Sequence, residues 1–179
     1  MTSDSSRRIF PTMTDEQGHF YVEAEVRDSN IFGKGIFTTR PVKKGTVVCF
    51  FSLEGQVITE SQFLEAIQAG DKNITRSGTR YVGQYFVHND KPVLCNYVNH
   101  AFDPNLLCHC GICIARRDIP IGEELTVDYR TLIDDTDIGI YNDIKTNQPI
   151  KGFSAKETLL RTARELIEIL TETPDDWQG

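Results

Sequence analysis

The sequence predicts an α+β protein, mostly β. Two features carry that expectation: short apolar runs of period two, separated by Gly, Pro, Asn and Asp clusters, and only two stretches with a helical period. A third bounds it. At 179 residues, 39% hydrophobic and 25% charged, the chain has a globular composition and the length to bury one core.

In chain order, residues 1–18 lack an apolar stretch and read as a flexible lead-in. Residues 20–27, FYVEAEVR, alternate, with Phe20, Val22, Ala24 and Val26 on one face and Tyr21, Glu23, Glu25 and Arg27 on the other. That is the pattern of one half-buried strand. IFGKGIF is a glycine-containing turn, and PVKKGTVVCFF is a turn feeding a buried strand. Thr59-x-x-Gln62 has capping-box spacing ahead of FLEAIQAG, where Phe63, Leu64 and Ile67 share a helical face and Gly70 ends the helix. Residues 79–98 hold two or three strand-like runs, with a turn at HNDKP. LLCHCGICIARRDI has the form of a hairpin, and Pro120 to Gly122 turn the chain into ELTVDY. Ser154-x-x-Glu157 caps the second helix, whose apolar stripe is Leu159, Leu160, Ala163, Leu166, Ile167 and Leu170.

Composition narrows the function classes. A net charge of −7 gives no general electrostatic reason to bind nucleic acid and favours a basic partner, such as a Lys/Arg-rich peptide. No apolar run approaches the ~18 residues a membrane helix needs. Five cysteines without a signal peptide predict free thiols in a reducing compartment, cytoplasmic or nuclear.

Four motifs bear on chemistry. Gly33-Lys34-Gly35 lacks the third glycine and the following helix of a dinucleotide fingerprint. Alone it reads as a tight turn or bulge, or as a place where backbone approaches a ligand closely. Cys108, Cys110 and Cys113 with His109 invite a zinc reading. Strand alternation, however, puts Cys108 and Cys110 on one side and His109 and Cys113 on the other, so buried structural thiols and no metal are expected. Asp134, Asp135 and Asp137 read as a solvated loop. NYVNHAFDPN, residues 96–105, joins Asn99-His100 to a Pro104-Asn105 turn, and GEELTVDY ends in Tyr129. A phenol there suits either a core corner or the mouth of a closed site.

The order of the pieces is more specific than any one of them. NIFGKGIFTTRPVKKGTVV, then NYVNHAFDPN, then ARRDIPIGEELTVDY resembles the SET-domain family of protein-lysine methyltransferases over residues 20–130. The resemblance implies a SET domain at 19–131, built of small curved β-sheets with a C-terminal pseudoknot, and a helical extension at 132–179 packing on it. It implies S-adenosyl-L-methionine as cofactor, contacted by Gly33, Lys34, Gly35, Asn99 and His100, with Tyr81 completing the pocket. Tyr129 matches the catalytic tyrosine, which would orient a lysine amine toward a sulfonium methyl group. The implied partner is a basic, lysine-containing protein or peptide, with no direct nucleic acid or membrane contact and homo-oligomerisation left open.

The chain departs from the family pattern at Ala101-Phe102, where relatives often have Ser and Cys, and it has no cysteine after Tyr129. Its second helix is therefore expected to supply the lid or channel wall, with Phe153 packing on the adenine. Val127, small where some relatives carry an aromatic, suggests room for more than one methyl group. Two other readings compete: a catalytically degenerate SET module that binds peptides or partner proteins, and a zinc-cluster protein built on CHCGIC.

Overall fold

The alternation of residues 20–27 is divided between two sheets rather than kept in one strand. The computed structural model describes residues 19–51, 55–71, 74, 80–82, 85–89, 94–133, 135 and 141–173. The predicted lead-in, most of the HNDKP turn, and Asp134 and Asp137 lie outside these. The elements in order are β1 (His19–Phe20), β2 (Ala24–Asp28), β3 (Lys34–Thr38), β4 (Val47–Phe50), β5 (Gln56–Ile58), α1 (Glu60–Gln68), β6 (Arg80–Val82), β7 (Tyr85–His88), β8 (Asn99–His100), β9 (Leu106–His109), β10 (Ile112–Ala115), β11 (Thr126–Val127) and α2 (Ala155–Thr171). This is the expected α+β, mostly β composition. β1 pairs with β4, whereas β2 pairs with β3 in a separate sheet. The chain bends at Val22 to serve both, and Val26 ends up exposed.

The main sheet has the order β1-β4-β10-β9, all antiparallel. Leu106, Cys108, Cys113 and Ala115 face the main core, and Leu107 and Ile114 face the other way, onto Leu166 and Ile169 of α2. With both faces covered, its strands read as near-continuous apolar runs, VVCFF and ICIA, rather than alternating ones. The β9–β10 turn passes through Cys110 (φ 50°) and Gly111 (φ 82°). Two consecutive left-handed residues make the tight turn whose twist suits a hairpin. Because the chain reverses there, Cys113 lies directly opposite Cys108 and shares its side, contrary to the parity expected of an uninterrupted strand. Cys110, at the turn, is exposed and not buried.

Both helix caps form as predicted, but the buried faces differ. The Thr59 hydroxyl accepts from the Gln62 N–H (3.3 Å) while the Gln62 side-chain oxygen accepts from the Thr59 N–H (2.9 Å). Of the α1 trio only Phe63 is buried, its ring stacked on Phe86 of β7 at 4.3 Å; Leu64 and Ile67 are exposed. In α2 the buried residues are Thr158, Thr162 and Ile169, while Leu159, Leu160, Ile167 and Leu170 face outward. On the inward side Leu166 and Ile169 pack on the sheet, Thr162 Oγ1 meets His109 Nδ1 at 2.8 Å, Arg116 pairs with Glu165, and Lys44 pairs with Glu172.

The segment 122–127 is held between two others. On one side Gly122 N donates to Thr38 O (2.8 Å), Thr38 N to Glu123 O (3.1 Å) and Leu125 N to Ile36 O (2.7 Å). On the other, β11 runs parallel to β8, with Thr126 opposite Asn99 and Val127 opposite His100. A parallel pair needs a crossover, and the β9–β10 hairpin supplies it. A late segment held between two earlier ones is the arrangement expected of the C-terminal pseudoknot.

Candidate active site

Asn105 locks the thread. It is 1% exposed, and its side-chain amide donates to Glu123 Oε1 and to the Glu124 carbonyl, both at 2.8 Å. Its Oδ1 accepts the Thr126 N–H at 2.9 Å, and its own N–H donates to Thr126 Oγ1 at 3.3 Å. Asparagine suits this position because one side chain offers both a donor and an acceptor to two backbone groups. The clasp sets Glu124 and the residues after it in place.

Glu124 joins the glycine turn to Asn99. Its carboxylate accepts from Ser29 Oγ (2.7 and 2.9 Å) and from Asn99 Nδ2 (2.7 Å). Asn99 Nδ2 also donates to the carbonyls of Phe32 (3.1 Å) and Lys34 (3.0 Å). Gly35 is glycine for the same reason: a Cβ there would stand 2.2 Å from Glu124 Oε1. Gly33, by contrast, is a conformational glycine at φ +51°, and nothing lies within 4 Å of where its Cβ would be. Lys34 points its ammonium to Asp28 at 2.6 Å. The predicted Gly33, Lys34, Gly35 and Asn99 are thus brought together.

His100 and Tyr129 form the adjoining half. The His100 Nδ1 accepts the Tyr129 N–H at 3.1 Å, and the rings lie 5.3 Å apart. Burial holds the His100 pKa below the usual imidazole value, although the Asp128 carboxylate opposes it. The neutral ring therefore carries its proton on Nε2, which is buried and meets no hydrogen-bond partner among the described residues. The Tyr129 hydroxyl donates to the Val98 carbonyl at 2.9 Å, one residue before Asn99.

Tyr141 and Phe153, described residues after Tyr129, pack beside this half. The Tyr141 ring sits edge-on to Tyr129 at 5.2 Å. Arg130 is gripped by the Asp128 carboxylate (2.6–2.9 Å), and its guanidinium lies 4.9 Å from the Phe102 ring and 5.1 Å from Phe153. Arg161 of α2 covers Phe153 as well, at 4.5 Å. Phe102, one of the departures from the family pattern, stands edge-on to His100 at 4.5 Å. The part nearest Tyr129 is thus the 141–153 connection, while the body of α2 packs on the main sheet. Tyr81 packs in the second apolar cluster with Phe63, Ile74 and Phe86, and its N–H donates to Leu132 O at 2.8 Å, three residues after Tyr129. Val127 is fully buried in the main core.

Sequence reasoning missed Ser29, Glu124, Asn105 and Tyr141 as site residues. Glu124 and Asn105 stood in the two quoted motifs, but nothing in their spacing says which partner each would meet. Ser29 and Glu124 are 95 positions apart.

A glycine turn, an Asn-His strand and a late strand held between two earlier segments, followed by tyrosine, define a class of β-rich proteins built of small sheets. Residues 33–130 match the family model described as SET domain, and the chain belongs to that family. It is 29% identical over 126 residues to a variant-silencing SET domain-containing protein of Plasmodium falciparum (isolate 3D7), covering 62% of this chain and 5% of that protein. Its fold matches that of the Neurospora SET domain protein DIM-5, a histone lysine methyltransferase, with a TM-score of 0.50 and 21% identity, over 62% of this chain and 53% of that one. This chain thus spans a small fraction of the first relative and about half of the second. None of its described helices is long and apolar enough to cross a membrane.

Proposed function

We propose that the protein transfers methyl groups from S-adenosylmethionine to the side-chain amine of lysine in a basic protein or peptide. One observation carries the reading: Gly33–Gly35, Asn99, His100 and Tyr129, scattered over 97 positions, meet at the knot. The residues present suit the cofactor. The buried Nε2–H of His100, without a partner among the described residues, is a donor awaiting an acceptor, and the space beside Gly33 admits close approach to backbone. Asn99 spends its amide on protein carbonyls and Glu124, so its Oδ1 is the atom it offers a ligand. Tyr81 is a further proposed contact.

S-adenosylmethionine supplies an electrophilic methyl group on a positively charged sulfur. The chain's own residues then place the acceptor. A free lysine, with a pKa of about 10.4, is protonated near neutrality and has no lone pair to offer. Desolvation beneath Tyr141 and Phe102 favours the neutral amine. The Tyr129 hydroxyl proton is committed to Val98 O, so toward an amine the phenol oxygen acts as an acceptor and fixes the direction of the nitrogen lone pair. Asp143, near His100, adds negative charge at this end suited to a basic chain, the Asp128 charge being met by Arg130.

The test is calorimetric titration with S-adenosylhomocysteine, followed by incubation with labelled methyl donor and lysine-rich peptides. Binding and label on lysine support the reading. Failure to bind S-adenosylhomocysteine would leave a SET module that recognises proteins without modifying them.

A further inference from the structure

The tip of the β9–β10 hairpin holds a cysteine and a histidine that methyl transfer does not use. Cys110 is exposed, and its Sγ stands 3.7 Å from Nε2 of His109. The other ring nitrogen, Nδ1, lies 2.8 Å from Thr162 Oγ1 on α2. Thr162 spends its one hydroxyl proton on the Thr158 carbonyl, at 2.7 Å, so toward the imidazole its oxygen accepts. Nδ1 therefore carries the His109 proton, and Nε2 presents a lone pair to the Cys110 sulfur. Burial favours the neutral ring. Both halves are held in place: Thr162 is 2% exposed, and the left-handed turn at Cys110 and Gly111 sets the thiol.

An imidazole whose tautomer is set by an outer hydrogen bond, with its lone pair beside a thiol, suits a metal ion. The separation fits as well. A tetrahedral zinc ion with bonds of about 2.3 Å to sulfur and about 2.05 Å to nitrogen holds those two atoms about 3.6 Å apart. One chain supplies only these two ligands. Cys108 and Cys113 face the main core, whereas His109 faces α2 on the other side of the sheet. Among the described residues no group of three or more Cys, His, Asp or Glu converges on a metal position. The other two positions of a tetrahedral shell must come from outside the chain. Leu159, three residues before Thr162 on the same side of α2, is 37% exposed and gives the rim an apolar side chain that a second copy would cover.

We propose that His109 and Cys110 are half of a zinc site, completed by the same pair from a second copy of the chain across a two-fold axis. Two hairpin tips meeting in this way give the closed four-coordinate shell of two cysteines and two histidines that structural zinc takes. Two thiolates and two neutral imidazoles also balance the charge of the ion. In the free chain, burial and the Cys108 sulfur keep the Cys110 thiol protonated. Each thiol therefore gives up one proton to solvent as its sulfur bonds the metal. The site does not depend on the methyl-transfer reading.

The test is titration of the full chain with cobalt(II) alone, which reports thiolate bonding as a charge-transfer band, followed by competition with zinc(II). The band should saturate at one ion per two chains, and zinc should abolish it. Sedimentation should show the 20.3 kDa chain doubling in mass with either metal and returning when a chelator is added. Cys110→Ser should lose both the band and the doubling while its metal-free melting temperature stays that of the wild-type protein. Thr162→Val, which removes the imidazole's anchor but neither ligand, should weaken cobalt binding at least about 10-fold. The proposal is overturned if no band appears, if it saturates at one ion per chain, if it survives in Cys110→Ser, or if metal leaves the mass unchanged. Alkylating the exposed Cys110 thiol on the folded wild-type chain must give the same loss, so the answer does not depend on a variant folding.

Discussion

Replacing Asn105 with alanine tests whether one side chain holds the thread. The substitution leaves the buried Thr126 N–H without its acceptor and removes the donors to the Glu124 carbonyl and to Glu123. A buried unsatisfied N–H costs about 1–3 kcal/mol, and each lost neutral bond about 1 kcal/mol. The bond to Glu123 is counted at no more than that, because its carboxylate is partly exposed and screened. The sum is about 4 kcal/mol. For a chain of this size the melting temperature should drop by about 10 °C. Asn105→Asp refines the test. It retains an acceptor for Thr126 but sets a second carboxylate against Glu123, so near neutral pH it should be at least as damaging as alanine. Its deficit relative to the wild-type protein should shrink as acid protonates the introduced carboxyl, whose folded-state pKa the like charge raises. Urea titrations at matched slope measure both, and amide exchange at Thr126 reports the clasp directly. A loss below about 1 kcal/mol in the alanine variant, with Thr126 still protected, would refute the reasoning.

Four further outcomes follow from the same geometry. Tyr129→Phe should cut methyl transfer by at least about 100-fold while leaving S-adenosylhomocysteine affinity within about two-fold; unchanged turnover would remove the phenol from the mechanism. Gly35→Ala should destabilise by about 2 kcal/mol by driving the Glu124 carboxylate off Ser29 and Asn99. In a Glu124→Ala background that cost should largely vanish, and its persistence would point to another cause. Thr158→Val should stabilise by about 1 kcal/mol, read by thermal melting, because the Thr158 hydroxyl is buried without a partner among the described residues. For His100, burial lowers the folded-state pKa beneath the ordinary 6.5, so the unfolded chain protonates first. The stability tied to the neutral ring is complete above that value and is lost as pH falls below it. Denaturation midpoints at about pH 7.5 and about pH 5.5 should therefore decline less in His100→Gln than in the wild-type protein.

The candidate site is partly legible in the sequence. Gly33–Gly35, Asn99, His100 and Tyr129 sit in motifs whose residue types already imply close backbone approach, two-sided hydrogen bonding and a placed phenol. Tyr81 was read from a looser likeness and lies in a different apolar cluster. Ser29, Glu124 and Tyr141 were not legible, because each acts through a partner that only the threading brings near. Asp128 and Arg130 look like ordinary surface charges in a linear reading, yet they grip each other between two phenyl rings.

The sequence by itself determined the local rules: where helices start, since Thr59 and Ser154 can satisfy first-turn N–H groups, and where the chain reverses, since Gly70, Gly111 and Gly122 tolerate positive φ. These depend on interactions within a few residues and survive in any context. Tertiary structure alone decided how FYVEAEVR is shared between two sheets, why Cys113 faces Cys108, and which side of α2 is buried. In that helix hydrophobic periodicity pointed to the leucines; Leu166 does pack on the sheet beside Ile169, but Thr158 and Thr162 are buried while Leu159, Leu160 and Leu170 face outward. Burial is a property of pairs of surfaces, and a linear pattern describes only one of them.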